Sequence, residues 1–193
     1  MIRPELSDAA DSNLKSKAEA KFYEACKHQL DDKYLILHSI SWVHKNVAGD
    51  VRDGEADFVI FDPDGGFIVI EIKGGGIRYD SLKNSWFSTD SNDFEHKIKD
   101  PFRQAVSQKN TILKLIQEHK DYKYLDGKML LGHAVFFTDL VDISQFDSPN
   151  SPMKIIGGKN DLNTLQEWVV GIMKFYMGQT DNFESLGKIG ISI

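Results

Sequence analysis

Gly54-Glu55-Ala56-Asp57-Phe58-Val59-Ile60-Phe61, the turn Asp62-Pro63-Asp64-Gly65-Gly66, and Phe67-Ile68-Val69-Ile70-Glu71-Ile72-Lys73-Gly74 decide how this chain reads. Two apolar runs across a Pro/Gly turn predict a β-hairpin, yet the runs carry Asp57, Glu71 and Lys73. Burying a charge costs several kcal/mol unless something compensates it. Strand side chains alternate, so Phe67, Val69, Glu71 and Lys73 share one face while Ile68, Ile70 and Ile72 share the other. Antiparallel pairing across the turn brings Asp57 level with the Glu71 end of its partner. Two carboxylates and a lysine then converge at one edge of the hairpin, the set that a divalent-metal site for phosphodiester chemistry uses.

Mg²⁺ takes oxygen ligands and keeps several waters, so one or two carboxylates plus a substrate phosphate satisfy it. Asp57 and Glu71 fit that set, with the peptide carbonyl of Ile72 as a further oxygen. Lys73 is placed to orient or deprotonate the attacking water, or to neutralise charge on the scissile phosphate. Each residue alone has a plainer reading. Asp57 then starts a strand, Lys73 ends one near water, and Glu71 pairs with Lys73 as a structural ion pair. Glu55 is expected to face away from Asp57 in a solvated turn, with a supporting place behind the metal ligands as the alternative.

Asp57 followed by Glu71-Ile72-Lys73 resembles the D…ExK signature of the PD-(D/E)xK nucleases. With Gly54-Glu55-x-Asp57, the hairpin, Glu71-x-Lys73-Gly74 and Asp100-Pro101-Phe102-Arg103-Gln104, the pattern resembles the nuclease-related domain (NERD) family from about residue 19 to 104. The resemblance implies a restriction-endonuclease-like fold and DNA processing, often beside a helicase. It carries the metal-binding acids onto Asp57 and Glu71, the catalytic lysine onto Lys73, a helix glutamine onto Gln104 and an acidic residue of the first helix onto Glu19, with Glu24 as the less favoured choice. Mg²⁺ or Mn²⁺ is the implied cofactor, and DNA the implied partner. A different class, a module of the same fold that binds nucleic acid or docks to a helicase without cutting, stands as the alternative.

The net charge of −6 argues against a protein that coats nucleic acid by bulk attraction, but the charge is unevenly spread. The window from Lys73 to Lys114 is +3, leaving −9 elsewhere. Arg78, Lys97, Lys99 and Arg103 in it are candidate phosphate contacts; an ordinary solvated face is the competing reading. Trp86 and Phe87 either stack on an unpaired base or anchor a peripheral hairpin. Its turn is then Asp90-Ser91-Asn92-Asp93, with Trp86 and Ser88 opposite Ile98 and His96. The six histidines lack zinc-ligand spacing, and Cys26, the only cysteine, reads as a small core residue. One thiol, no secretory signal and no apolar run long enough for a bilayer place the chain in the cytoplasm, with no membrane partner.

At 193 residues and 41% hydrophobic content the chain is read as a single domain, residues 1–193, with a loose lead-in over 1–11 and a tail over 178–193 that hints at a longer natural chain. Periodicity and caps predict a helix over Leu14–Leu30, a strand over Tyr34–Ile40, the hairpin Asp57–Lys73, and a helix opened by Asp100-Pro101. Gln104 in that helix's first turn is placed to face the sheet edge where Lys73 ends. A central strand over Leu130–Thr138, a short strand over Lys154–Ile156 and a helix over Leu162–Met177 follow. The order is α-β-β-β-α-β, an α/β fold with a mixed sheet flanked by helices.

Overall fold

The computed structural model describes residues 1–3, 16–45, 51–120, 122 and 129–179, with backbone alone at 44, 45, 51 and 52. In chain order the elements are β1 (Ile2–Arg3), α1 (Lys17–Gln29), β2 (Leu35–Lys45), β3 (Val51–Phe61), β4 (Gly66–Lys73), β5 (Gly76–Asp80), β6 (Ser85–Thr89), β7 (Glu95–Ile98), α2 (Pro101–Glu118), β8 (Leu130–Phe137), β9 (Ile156–Gly157) and α3 (Leu165–Met177). The larger sheet has the order β1-β2-β3-β4-β8-β9, and β5-β6-β7 form a second sheet. Strands β2, β3 and β4 pair antiparallel, whereas β4–β8, β8–β9 and β1–β2 are parallel. This is the mixed α/β architecture expected, with three helices flanking the large sheet.

The period-two pattern of β4 sets the layers. Ile68, Ile70 and Ile72 join Phe22 of α1 and Val169 of α3 in one cluster, and Phe67 and Val69 join Ile112 of α2 in the other. With both faces covered by helices, β4 is a run of buried residues from Gly66 to Ile72, as a central strand between β3 and β8 should be. Gly66 is needed at its start, because a Cβ there would stand 2.1 Å from the Leu130 carbonyl oxygen of β8.

Alternation fails at one place, and that place matters. On β2, Leu35 and Leu37 pack on the α2 side, but so do Ile40 and Trp42. The phase therefore slips by one residue at Ser39, whose φ is 52°. On β3, Val59 and Phe61 share that cluster with Ala56, so the slip recurs at Asp57–Phe58. In the register, His38 pairs with Phe58 and Ile40 with Ala56, while the Ser39–Asp57 pair between them drops out. A one-residue slip re-aims side chains and bends the strand, and here it frees Asp57 to turn toward β4.

Several boundaries differ from expectation. Helix α1 begins at Lys17, because Ser16 caps it and accepts the Glu19 N–H at 3.2 Å; Leu14 lies outside the described residues. The lead-in is not loose at its very start, since the Met1 ammonium donates to the Tyr34 carbonyl and β1 pairs with Ile36 and Leu37. Residues 4–11 and most of the tail, 180–193, lie outside the described residues. Met153–Ile155 forms a 3₁₀ turn and the short strand is Ile156–Gly157. Lys159–Asn163 is also 3₁₀, with the Asp161 carboxylate accepting the Gly158 N–H, so the last α-helix starts at Leu165.

The peripheral hairpin has the expected pairing, Trp86 with Ile98 and Ser88 with His96. A third strand, β5, precedes it. Gly74-Gly75-Gly76 is an ordered turn: Gly75 takes φ 78°, and a Cβ there would meet the Thr89 carbonyl oxygen at 2.5 Å. Only glycine accepts that conformation without strain.

Candidate active site

The β3–β4 ladder runs Phe61–Phe67, Ile60–Ile68, Val59–Val69 and Phe58–Ile70, then stops. The next rung would join Asp57 to Glu71. Instead the Asp57 side chain crosses the gap, and its Oδ2 accepts the Ile72 N–H at 2.8 Å. A carboxylate thereby replaces a main-chain acceptor, the strands part, and the opened space becomes a cleft of about 810 Å³. Ile72, expected to offer its carbonyl, is seen here through its amide.

Glu71 is 2% exposed, and both of its oxygens are engaged. Lys73 Nζ donates to Oε1 at 2.5 Å, and Gln108 Nε2 donates to Oε2 at 2.6 Å. The short Lys73 contact follows from the strand period, which sets residues two apart on one face. A buried charge left without partners would cost several kcal/mol; the lysine and the amide compensate it. Gln108 was not singled out from sequence, where Pro101-x-x-Gln104 drew attention. It lies one turn later on the same helix face. Gln104 also lines the cleft, but its side chain has no hydrogen bond among the described residues.

Glu19 comes to the same corner from α1. Its backbone N–H and carboxylate both meet the Ser16 hydroxyl, the latter at 3.0 Å, and only 7% of the residue is exposed. Ser16-x-x-Glu19 is a sequence signal for this arrangement, resembling a capping box. Its helix is seated against the end of β4: a Cβ on Gly74 would lie 2.8 Å from the Ala18 Cβ. Asp139 ties the same elements, pairing with Lys21 of α1 and accepting the Gly75 N–H.

Burial, then repulsion from the Glu71 charge, pushes the Asp57 carboxyl up from 3.8 to about 7; the Ile72 N–H and Lys73 oppose this, and Glu19 adds to it. Asp57 therefore feels the charge of both neighbouring acids. A hard divalent cation takes oxygen donors. Asp57, Glu71 and the Gln108 amide oxygen, buried with no partner among the described residues, are such donors. Among the described residues no group of three His, Cys, Asp or Glu side chains is close enough to form a cage. The donor set thus suits an ion that keeps waters or takes oxygen from a substrate phosphate, as Mg²⁺ does.

The four candidate phosphate contacts separate. Lys99 and Arg103 line the cleft. Lys97 is exposed on β7 outside it. Arg78 is committed elsewhere, pairing with both oxygens of Glu95 at 2.8 and 2.9 Å and lying over the Phe87 ring. Glu55, expected in a solvated turn, is inside β3 and lines the cleft with Asp53. Cys26 is buried, and burial raises its thiol well above the usual range, which fits a core residue. No helix among the described residues is long and apolar enough to cross a membrane.

A mixed sheet flanked by helices, with Asp57 and Glu71-x-Lys73 at the point where a central hairpin splits, defines a restriction-endonuclease-like fold of the PD-(D/E)xK nuclease group. The family described as nuclease-related domain (NERD) matches residues 14–138, and the chain belongs to it. No curated protein and no solved structure gives a significant match.

Proposed function

We propose that this chain is a divalent-metal-dependent nuclease that hydrolyses phosphodiester bonds of DNA. The observation that carries the reading is the polar cluster in an otherwise apolar sheet: Glu71 held by Lys73 and Gln108, with Asp57 turned out of the strand ladder beside it. A fold has no structural need for such a group there. Replacing buried ion pairs by packed apolar residues is often neutral or stabilising.

Asp57, Glu71 and the Gln108 amide oxygen would hold Mg²⁺ or Mn²⁺. When bound, the cation would polarise the scissile phosphate and lower the pKa of an attacking water. Gln108 fixes the Glu71 carboxylate so that one face stays turned to the cleft. Lys73, donating to Glu71, presents positive charge where negative charge builds on the phosphate as water adds to phosphorus and the ester P–O bond breaks. Lys99 and Arg103 at the cleft rim would hold flanking phosphates. Glu19 adds negative charge beside Asp57, which a bound cation would offset.

The test is incubation of plasmid and single-stranded DNA with the protein and Mg²⁺ or Mn²⁺, beside Asp57→Ala and Lys73→Ala. The expected result is cleavage by the wild type that each substitution abolishes. Cleavage persisting in both variants would refute the assignment.

A further inference from the structure

On the far side of the first turns of α2 lies a second hollow of about 940 Å³, within the size range of small-molecule sites. Its floor is Trp86, whose ring centroid lies 5.0 Å from Tyr79, 5.2 Å from Phe146 and 5.7 Å from Phe102. Trp86 is 7% exposed; its indole N–H makes no hydrogen bond among the described residues and is not a fully buried atom. Asn110, Gln145 and Asn150 stand on the lining with side-chain amides also without partners there. Two carboxylates, Asp100 and Asp147, face one arginine and no lysine in this lining. The hollow is therefore a poor home for a phosphate, but it offers an uncharged flat ring the Tyr79 ring, 38% exposed and backed by Trp86, together with amide donors and acceptors.

Its position says where such a ring would come from. Asp100, Arg103 and Ser107 line both this hollow and the cleft of Asp57 and Glu71. Helix α2 separates the two, with Gln104 and Gln108 toward the cleft and Phe102 and Val106 toward the hollow. We infer that the hollow takes an unpaired nucleobase of the same DNA strand whose phosphate enters the cleft, the strand crossing α2 at Arg103. This rests on the nuclease reading. A base locked in a duplex cannot offer its face to Tyr79, behind which Trp86 packs, so the substrate class is a single strand, flap or frayed end.

The experiment keeps binding apart from cutting. A single-stranded DNA 12-mer, its abasic counterpart and a blunt duplex are titrated into the full chain in EDTA. Affinity is read by anisotropy and the indole N–H signals by NMR, with the Trp86 signal identified by its loss in Trp86→Phe. The expected result is a Trp86 signal that moves with the 12-mer and not with the abasic strand. Tyr79→Ala and Val106→Glu should each weaken the 12-mer about tenfold, the scale of one lost base stack, and leave the duplex unchanged. An unmoved Trp86 signal, or variants that bind the 12-mer as the wild type does, overturns the inference; if the wild type still cuts DNA with Mg²⁺, the nuclease reading survives. A wild type that neither binds nor cuts DNA overturns both.

Discussion

Replacing Asp57 by asparagine should make the metal-free protein more stable at alkaline pH, which few substitutions in a central strand do. Its carboxyl ionises at about 7 in the folded state, against 3.8 ordinarily. A folded-state pKa above the unfolded one means that the native protein binds the extra proton between these values, so stability falls as pH rises through that window. At about 1.4 kcal/mol per pH unit, the full cost above pH 7 approaches about 4 kcal/mol. Asp57 is half-buried beside an open cleft, and solvent there screens the repulsion to about 2 kcal/mol. Asparagine keeps an oxygen for the Ile72 N–H and removes the charge. Urea unfolding in EDTA should therefore show Asp57→Asn about 2 kcal/mol more stable than wild type at pH 8 and nearly level with it at pH 4. Adding Mg²⁺ at pH 8 should stabilise the wild type alone. The same stability difference at both pH values, or a variant weaker than wild type at pH 8, would refute the argument.

Gln108→Leu leaves Glu71 Oε2 without its donor; DNA cleavage should fall by about tenfold to a hundredfold, and by less in Gln104→Ala, in a plasmid assay with Mg²⁺. Equal losses would show that the contact to Glu71 is not what matters. Gly74→Ala drives a methyl group toward Ala18 and should cost about 1–3 kcal/mol of stability, read as a lowered thermal midpoint; an unchanged midpoint would mean that α1 yields freely. Burial, then the Lys109 charge, lowers His133 to about 4. Its contribution is complete above pH 6.5 and is lost as pH falls through 4. His133→Gln should thus reduce the loss of stability between pH 7 and 4 by about 3 kcal/mol at most, measured by urea midpoints.

The central hairpin was legible because its turn and its period of two leave a single register that buries Ile68 and Ile70 on one side and Phe67 and Val69 on the other. The pairing of Trp86 with Ile98 could be read for the same reason. Strand β5 could not, since three consecutive glycines give no pattern, and the φ of Gly75 depends on the Thr89 carbonyl that it approaches. With β5 unseen, the pairing of Arg78 to Glu95 was invisible too. At the candidate site, Asp57, Glu71 and Lys73 stood out because charge in an apolar strand is rare. Gln108 did not, because glutamine is ordinary on a helix, and only the packing of α2 against β4 decides which turn reaches the carboxylate. The phase slip at Ser39 and Asp57 is equally a property of two strands together.

Because the last rung between β3 and β4 is made by an Asp57 oxygen, the zipper of the sheet and the candidate site are one object. A chain that tried to lengthen this hairpin by one ordinary rung would have to withdraw that oxygen, and would gain a backbone bond by erasing its own cleft. Tighter strand closure and an open polar cleft therefore pull against each other at a single atom.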